Sequence, residues 1–523
     1  MARAPRRLGG ALAVGAGILL SRIAGLVRTR VLAHYLGQGD ASDVFTAALR
    51  IPNFLQNLFG EGVLSASFIP VYARLRAEDR HDDAVRVARA VGTLLVLIAT
   101  GLTALGIWLA PYLVELLVGG YHGEKRELTV ALVRIVFPGV ALLVMSAWCL
   151  GVLNSHRKFF LSYVSPVLWN AALIATAVVA GRRFAGDLDD VVLWLAWGAV
   201  IGSAAQLLVQ LPTVVAILRS LRPSLAVRDP GVTSTLHAFV PIVLGRGSVQ
   251  LSGFIDQALA SYLGKGFVTA ISWASILYML PVSLFGMAVS AAELPEMSSA
   301  TGDASVRAAH LHARLGGALR RVVFLVVPSA IAFIAIGGPI AGLLFQTGKF
   351  TAEDTRIVWI ILAGSAVGLS ASTQGRLLGS AFYALGDPRR PLYAALVRVS
   401  ITGVAGYLFA LPLRHVFGYA EVWGAFGLTA SAGFAAWIEF LLLRRWLDQR
   451  IGRVALPAKL GFGALAAACV AGAAGFGASH ISSRISISSI AAIATFGVVY
   501  LGIMLVANVP EARDFARKAR IVK

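Results

Sequence analysis

The chain has 523 residues, of which 58% are hydrophobic and 14% charged, with a mean hydropathy of +0.77 and a net charge of +20. That composition excludes a single soluble domain, because so much apolar surface cannot be hidden in one core. It does not make a nucleic-acid binder either, since the basic residues are dispersed over loops without a recognition module. The two cysteines, Cys149 and Cys469, both fall in apolar stretches and form neither a disulfide framework nor a metal site.

Taken in chain order, the hydropathy predicts an all-α polytopic membrane protein with about fourteen spans, each near the ~20 residues a bilayer demands. They lie at 9–34, 42–71, 90–118, 128–153, 159–181, 190–218, 234–263, 267–296, 321–346, 355–385, 391–412, 419–443, 458–480 and 485–508. The first is expected to be retained: Arg3, Arg6 and Arg7 precede it, but it runs on through Arg22 and Arg28 without a small-residue cleavage site. Lys and Arg concentrate in the loops 74–89 and 444–459 and in the tail 513–523, which places both termini in the cytoplasm beside anionic headgroups.

The chain also repeats itself. Leu32-Ala33-His34-Tyr35-Leu36-Gly37-Gln38-Gly39 returns as Leu259-Ala260-Ser261-Tyr262-Leu263-Gly264-Lys265-Gly266. A proline follows in each next stretch, Pro52 and Pro281, and Ser67-Phe68-Ile69-Pro70 answers Ala292-Glu293-Leu294-Pro295. Two halves of similar hydropathy are the pattern of a transporter.

Charge at membrane depth is costly, so it faces a watery cavity or a partner. Arg22, Arg28 and Arg30 stand in or near the first span, Asp43 and Arg50 in the second, and Glu61 follows roughly three turns on. Arg22 and Arg28 are six residues apart and so point ~120° from each other, flanking one wall without stacking. Arg30 is the one most readily explained by snorkelling to the surface. Guanidinium groups stay charged in a low dielectric and match phosphate oxygens, so a phosphate-bearing anion is the expected guest. In the second half Arg246 and Asp256 either return charge to the cavity or, for Arg246, snorkel at the span's end.

Ser21-Arg22-Ile23-Ala24-Gly25-Leu26-Val27-Arg28, Ala41-Ser42-Asp43-Val44-Phe45 and the run from Arg50-Ile51-Pro52-Asn53-Phe54 to Phe59-Gly60-Glu61-Gly62, closed by Phe68-Ile69-Pro70, resemble the MurJ (MviN) family of lipid II flippases. Leu344-Phe345-Gln346-Thr347-Gly348-Lys349-Phe350-Thr351 and Phe382-Tyr383-Ala384-Leu385-Gly386-Asp387-Pro388 extend the likeness. The resemblance implies a MOP-superfamily exporter of the bacterial inner membrane: an N-lobe over 1–225, a C-lobe over 226–450, and two C-terminal helices with a basic tail over 451–523. The two six-helix lobes would surround a central cavity. It further implies lipid II as cargo, its pyrophosphate held by Arg22 and Arg28 with Asp43 and Glu61 nearby, and turned to the external leaflet by alternating access. Membrane lipids and cell-wall synthesis proteins would be its partners.

The match is incomplete. Family members carry a basic pair where this chain has Gln56 and Asn57, and charges in the eighth helix that align with Ile276 and Met279. Arg246 is one replacement for the missing arginine. Another polyprenyl-linked cargo, a drug-exporting role or a non-transporting paralogue are the other readings of the gap. No bond is made or broken in flipping a lipid, and the Asp187-Leu188-Asp189-Asp190 cluster lies in a loop expected to be external, where nucleotide sugars are absent, so an enzyme is not expected. There is no Gly-x-x-x-x-Gly-Lys-Ser/Thr loop. No cofactor is expected; the energy would come from the membrane potential or an ion gradient, the ion being left open, with Asp43 and Asp256 as candidate ion sites.

Overall fold

The structure, a computed structural model of the full chain, describes residues 5–59, 61–287, 289–290, 293, 297, 304–455 and 457–518, and only the backbone of 5–16, 18, 51–52, 61, 240, 244–252, 304–308 and 518. Among these residues the regular structure is helical throughout, because in hydrocarbon each backbone donor and acceptor must find its partner within the chain, and a helix satisfies them locally. The chain forms two compact units, one of 1–254 with Thr347–Lys349, the other of 255–346 with 350–523.

The first unit contains α1 (Pro5–Leu36), α2 (Asp40–Phe59), α3 (Glu61–Ala77), α4 (His81–Val118), α5 (Gly123–Ser155), α6 (Phe159–Arg183), α7 (Leu188–Leu218) and most of α8 (Pro230–Ser261). In the second, α9 (Phe267–Pro281) runs into a π-helical segment (Val282–Met287), followed by α10 (Ala304–Phe345), α11 (Ala352–Ala366), α12 (Leu369–Ala384), α13 (Arg389–Ala410), α14 (Pro412–Phe417), α15 (Glu421–Ile451), α16 (Ala458–Ala478), α17 (Ile485–Val506) and α18 (Pro510–Lys518). Among the described residues ten helical stretches are long and apolar enough to cross a membrane, and α11 with α12, bent by 45°, makes an eleventh. The remaining three stretches predicted as spans are helical as α1, as α2 with α3, and as α8. They are the ones that carry Arg22, Arg28, Asp43, Arg50, Arg246 and Asp256.

Close packing in the first unit depends on glycines. A β-carbon at Gly106 of α4 would come within 1.9 Å of the Phe137 ring of α5, and one at Gly181 of α6 within 2.1 Å of the Tyr35 ring of α1. Small residues let helices approach where the lipid offers no hydrophobic driving force. At Gly463, by contrast, a β-carbon would meet nothing within 4 Å, because that face of α16 borders an open groove. In α10 the backbone leaves helical geometry at Ile336 (φ −126°, ψ 21°), three residues before Pro339, whose ring cannot accommodate the preceding turn. The acidic cluster Asp187-Leu188-Asp189-Asp190 has a local explanation: the Asp187 carboxylate accepts from the Asp189 and Asp190 amides and caps α7.

The internal repeat marks two equivalent turns. Gly37, after α1, has φ +62°, and its counterpart Gly264, after α8, has φ +117°. Both are conformations a β-carbon disfavours, and both glycines lie in the short connection between one helix and the next. The Gln346-Thr347-Gly348-Lys349 block has a related role. Gly348 (φ +58°) lets Thr347–Lys349 dock on the end of α1: the Lys349 amide donates to the His34 carbonyl (2.9 Å), His34 Nδ1 lies 2.9 Å from Thr347 Oγ1, and Lys349 Nζ donates to the Ala185 carbonyl (3.1 Å). Thr351 then starts α11 with a capping box to Asp354.

Candidate functional site

Helix α1 presents two arginines in unlike settings. Arg22 is exposed and, among the described residues, takes part in no hydrogen bond or ion pair. Arg28 is half-buried against α6, its guanidinium carbon 5.0 Å from the centroid of the Trp169 ring. An arginine over an indole face is held by the ring quadrupole without losing its charge, which leaves its donors for an anion. Among the described residues, three buried polar atoms here have no hydrogen-bond partner: Arg28 Nε, Trp169 Nε1 and Asn170 Oδ1. The Asn170 amide nitrogen donates to the Pro166 carbonyl at 3.0 Å, so its oxygen is the side left over. A buried polar atom left unpaired costs ~1–3 kcal/mol, so a cluster of them in a native protein calls for a polar guest.

Asp43 is placed differently from the open setting its neighbours suggest. It is fully buried, with Lys125 Nζ at the start of α5 bridging Asp43 (3.1 Å) and Asp40 (2.8 Å). The same ammonium lies 4.1 Å from the centroid of the Tyr121 ring. Burial, then the Asp43 and Asp40 charges, push the Tyr121 hydroxyl well above its usual range and keep it neutral. The arrangement ties the start of α2 to the α4–α5 connection.

Arg50 of α2 approaches α8. Its guanidinium carbon is 6.0 Å from the Phe254 ring centroid, and a β-carbon at Gly253 would come within 2.1 Å of Arg50 Nη2. Glycine at 253 is what makes room for the guanidinium. Phe54, one turn along α2, meets the same Phe254 ring edge to face at 4.7 Å. The side chains of Glu61 and Arg246 lie outside the described residues, and Asp256 is half-buried in the part of α8 that belongs to the second unit. Thus the structure seats Arg28 on Trp169, brings Arg50 to α8 and ties Asp43 to Lys125.

In the second unit the positions where charge was expected are apolar or neutral in context. Met279 is exposed and Ile276 half-buried, while the Tyr278 hydroxyl lies 2.6 Å from Ser372 Oγ of α12. The helix then widens into the π segment after Pro281, a distortion that recurs at functional sites. Sequence reasoning missed Trp169, Asn170, Tyr121 and Lys125. Only the adjacent Trp169-Asn170 pair inside an apolar helix, three and four residues after Pro166, offered a signal.

Against known proteins, a family model described as lipid II flippase MurJ matches residues 32–496. The chain belongs to the MurJ lipid II flippase family. Among its relatives, the lipid II flippase MurJ of Burkholderia cenocepacia is 34% identical over 445 residues, 84% of this chain and 83% of that protein. The probable lipid II flippase MurJ of Vibrio cholerae is 30% identical over 452 residues, 84% of this chain and 83% of that one. Among solved structures, a MurJ in an inward closed conformation superposes with a TM-score of 0.77 at 21% identity, covering 97% of this chain and 99% of that one. An inward-facing multidrug transporter of the MATE family, in the MOP superfamily, follows at 0.67 and 17%, covering 82% of this chain and 94% of that one. The two likenesses agree on the fold.

Proposed function

We propose that the chain is a flippase for lipid II, a multi-pass protein of the bacterial inner membrane that turns the headgroup of this precursor from the cytoplasmic to the external leaflet by alternating access. The observation that carries this reading is the family match over residues 32–496. The α1 arginines support its chemistry. A pyrophosphate crossing the membrane interior needs permanent positive charge and donors, and Arg28, seated on Trp169 beside unpaired polar atoms, together with the exposed Arg22, offers both. The polyprenyl tail stays in hydrocarbon throughout and no bond changes, so the protein is a transporter and not an enzyme.

Both termini are assigned to the cytoplasm because the end of α3, with Arg74 and Arg76, and the connections after α5 and α7, with Arg157, Lys158, Arg219 and Arg222, belong on that side. The driving force is assigned to the membrane potential or an ion gradient, since one elementary charge moved through 100 mV is worth about 2.3 kcal/mol.

The test is complementation in a bacterium depleted of its own lipid II flippase, reading growth and external-leaflet lipid II. Rescue by the wild type that is lost in Arg22→Ala or Arg28→Ala, at equal membrane abundance, is the expected result. A correctly inserted wild type that fails to rescue would overturn the assignment.

A further inference from the structure

A second basic site stands in the first unit, sharing no residue with the α1 arginines. Where α3, α5 and α7 end and α4 begins, their connections enclose a cavity of about 650 Å³. Its charge is unbalanced. Arg86 is neutralised, bonded to Asp83 and to Asp229 (3.1 Å). The others are not: Arg89 donates to the carbonyls of Leu218 (2.7 Å) and Ser220 (3.0 Å), and Arg76 to that of Ser155. A carbonyl accepts a hydrogen bond without cancelling the charge of the donor. Arg219 and Arg222 are exposed and, among the described residues, have no hydrogen bond or ion pair. Against these stands one lining carboxylate, Asp82.

Two further features belong to this surface. Arg219 ends α7 with φ 59° and lines the cavity. His156, hydrogen-bonded to the Tyr72 hydroxyl at 2.9 Å, is pushed down to about 4, first by burial and then by the charges of Arg76, His81 and Lys158.

We propose that this cavity is a phosphate-anion site, in which Arg219 and Arg222 from the α7–α8 connection close on an anion already faced by Arg76 and Arg89. The chemistry it fits is a phosphate carried by an anionic lipid headgroup or by a soluble phosphate ester, because planar guanidinium forks match phosphate oxygens from several sides. Occupancy would fasten residues 219–229 to the start of α4 and the end of α5.

The experiment uses the full chain in nanodiscs of phosphatidylcholine, with or without phosphatidylglycerol, and compares the wild type with the Arg219→Gln/Arg222→Gln double variant and with Arg445→Gln, an exposed arginine of the other unit. Retained phosphatidylglycerol is read by native mass spectrometry, inorganic pyrophosphate binding by calorimetry in the neutral nanodisc, and the 219–229 backbone by hydrogen exchange. The double variant is expected to bind the effective probe roughly tenfold more weakly, the scale of losing charge-assisted hydrogen bonds, and to lose the probe's protection of 219–229, while Arg445→Gln binds as the wild type does. Loss confined to phosphatidylglycerol assigns the anion to the lipid; loss of pyrophosphate binding assigns it to a soluble ester. Equal binding by wild type and double variant, binding of neither probe, or an equal loss in Arg445→Gln would overturn the site.

Discussion

The two halves of the repeat make the same turn and put different chemistry beside it. Gly37 and Gly264 occupy matched positions with positive φ, yet the turn at Gly37 joins two helices bearing Arg22, Arg28, Asp43 and Arg50, while the turn at Gly264 leads into α9, with Met279 exposed and Tyr278 bonded to Ser372. Backbone conformation and apolar spacing are therefore maintained independently of charge.

The sharpest way to break that comparison is functional. Arg28→Ala should abolish rescue in the depleted host, whereas Met279→Ala, at the matching charge-poor helix, should leave it intact; growth and external lipid II measure both. Next in size is the buried pair. Lys125→Met strands the fully buried Asp43 and should cost about 3 kcal/mol of stability, an effect that adding Asp43→Asn largely reverses; thermal unfolding in detergent measures it. No equivalent of this rescue is expected in the α8–α9 turn.

A smaller effect separates the two glycines themselves. Alanine at either meets an unfavourable φ, worth roughly 1 kcal/mol. At Gly37 its β-carbon would also lie 2.6 Å from the Lys349 backbone oxygen, whereas at Gly264 the obstacle, at 2.7 Å, is the movable end of the Glu421 side chain. Gly37→Ala should accordingly lower the melting temperature more than Gly264→Ala. The smallest expected effect is on pH dependence. His156 of the first unit lies 2.9 Å from the Tyr72 hydroxyl, while His312 of the second donates to the Arg453 carbonyl at 3.0 Å. With the folded pKa of His156 at about 4, below its ordinary 6.5, the unfolded chain binds more protons between those values. Its contribution is complete above about pH 6.5 and is lost as pH falls toward 4. His156→Gln should flatten that slope in pH-dependent melting curves.

Much of the fold was legible in the sequence, because hydropathy and turn glycines act locally. Eleven of the fourteen predicted stretches recur as membrane-length apolar helices or as the bent α11–α12 pair, and the repeated glycines fall in the predicted turns. The site was legible only in part. Arg22 and Arg28 could be singled out because charge in an apolar helix is conspicuous, but the Trp169 ring under Arg28 could not, because it stands on a helix distant in the chain.

By itself the sequence determined that the chain is helical, crosses a membrane many times, repeats its architecture and belongs among the lipid II flippases. Each of these follows from composition or from short motifs, which neighbouring residues supply. Only the tertiary structure decided that Asp43 answers to Lys125, that Arg28 rests on Trp169, that Thr347–Lys349 closes on the end of α1, and that arginines from separate connections converge on one cavity. Those partners come from distant parts of the chain, and a charge or an aromatic ring carries no local periodicity that reveals which distant group the packing of helices will bring against it.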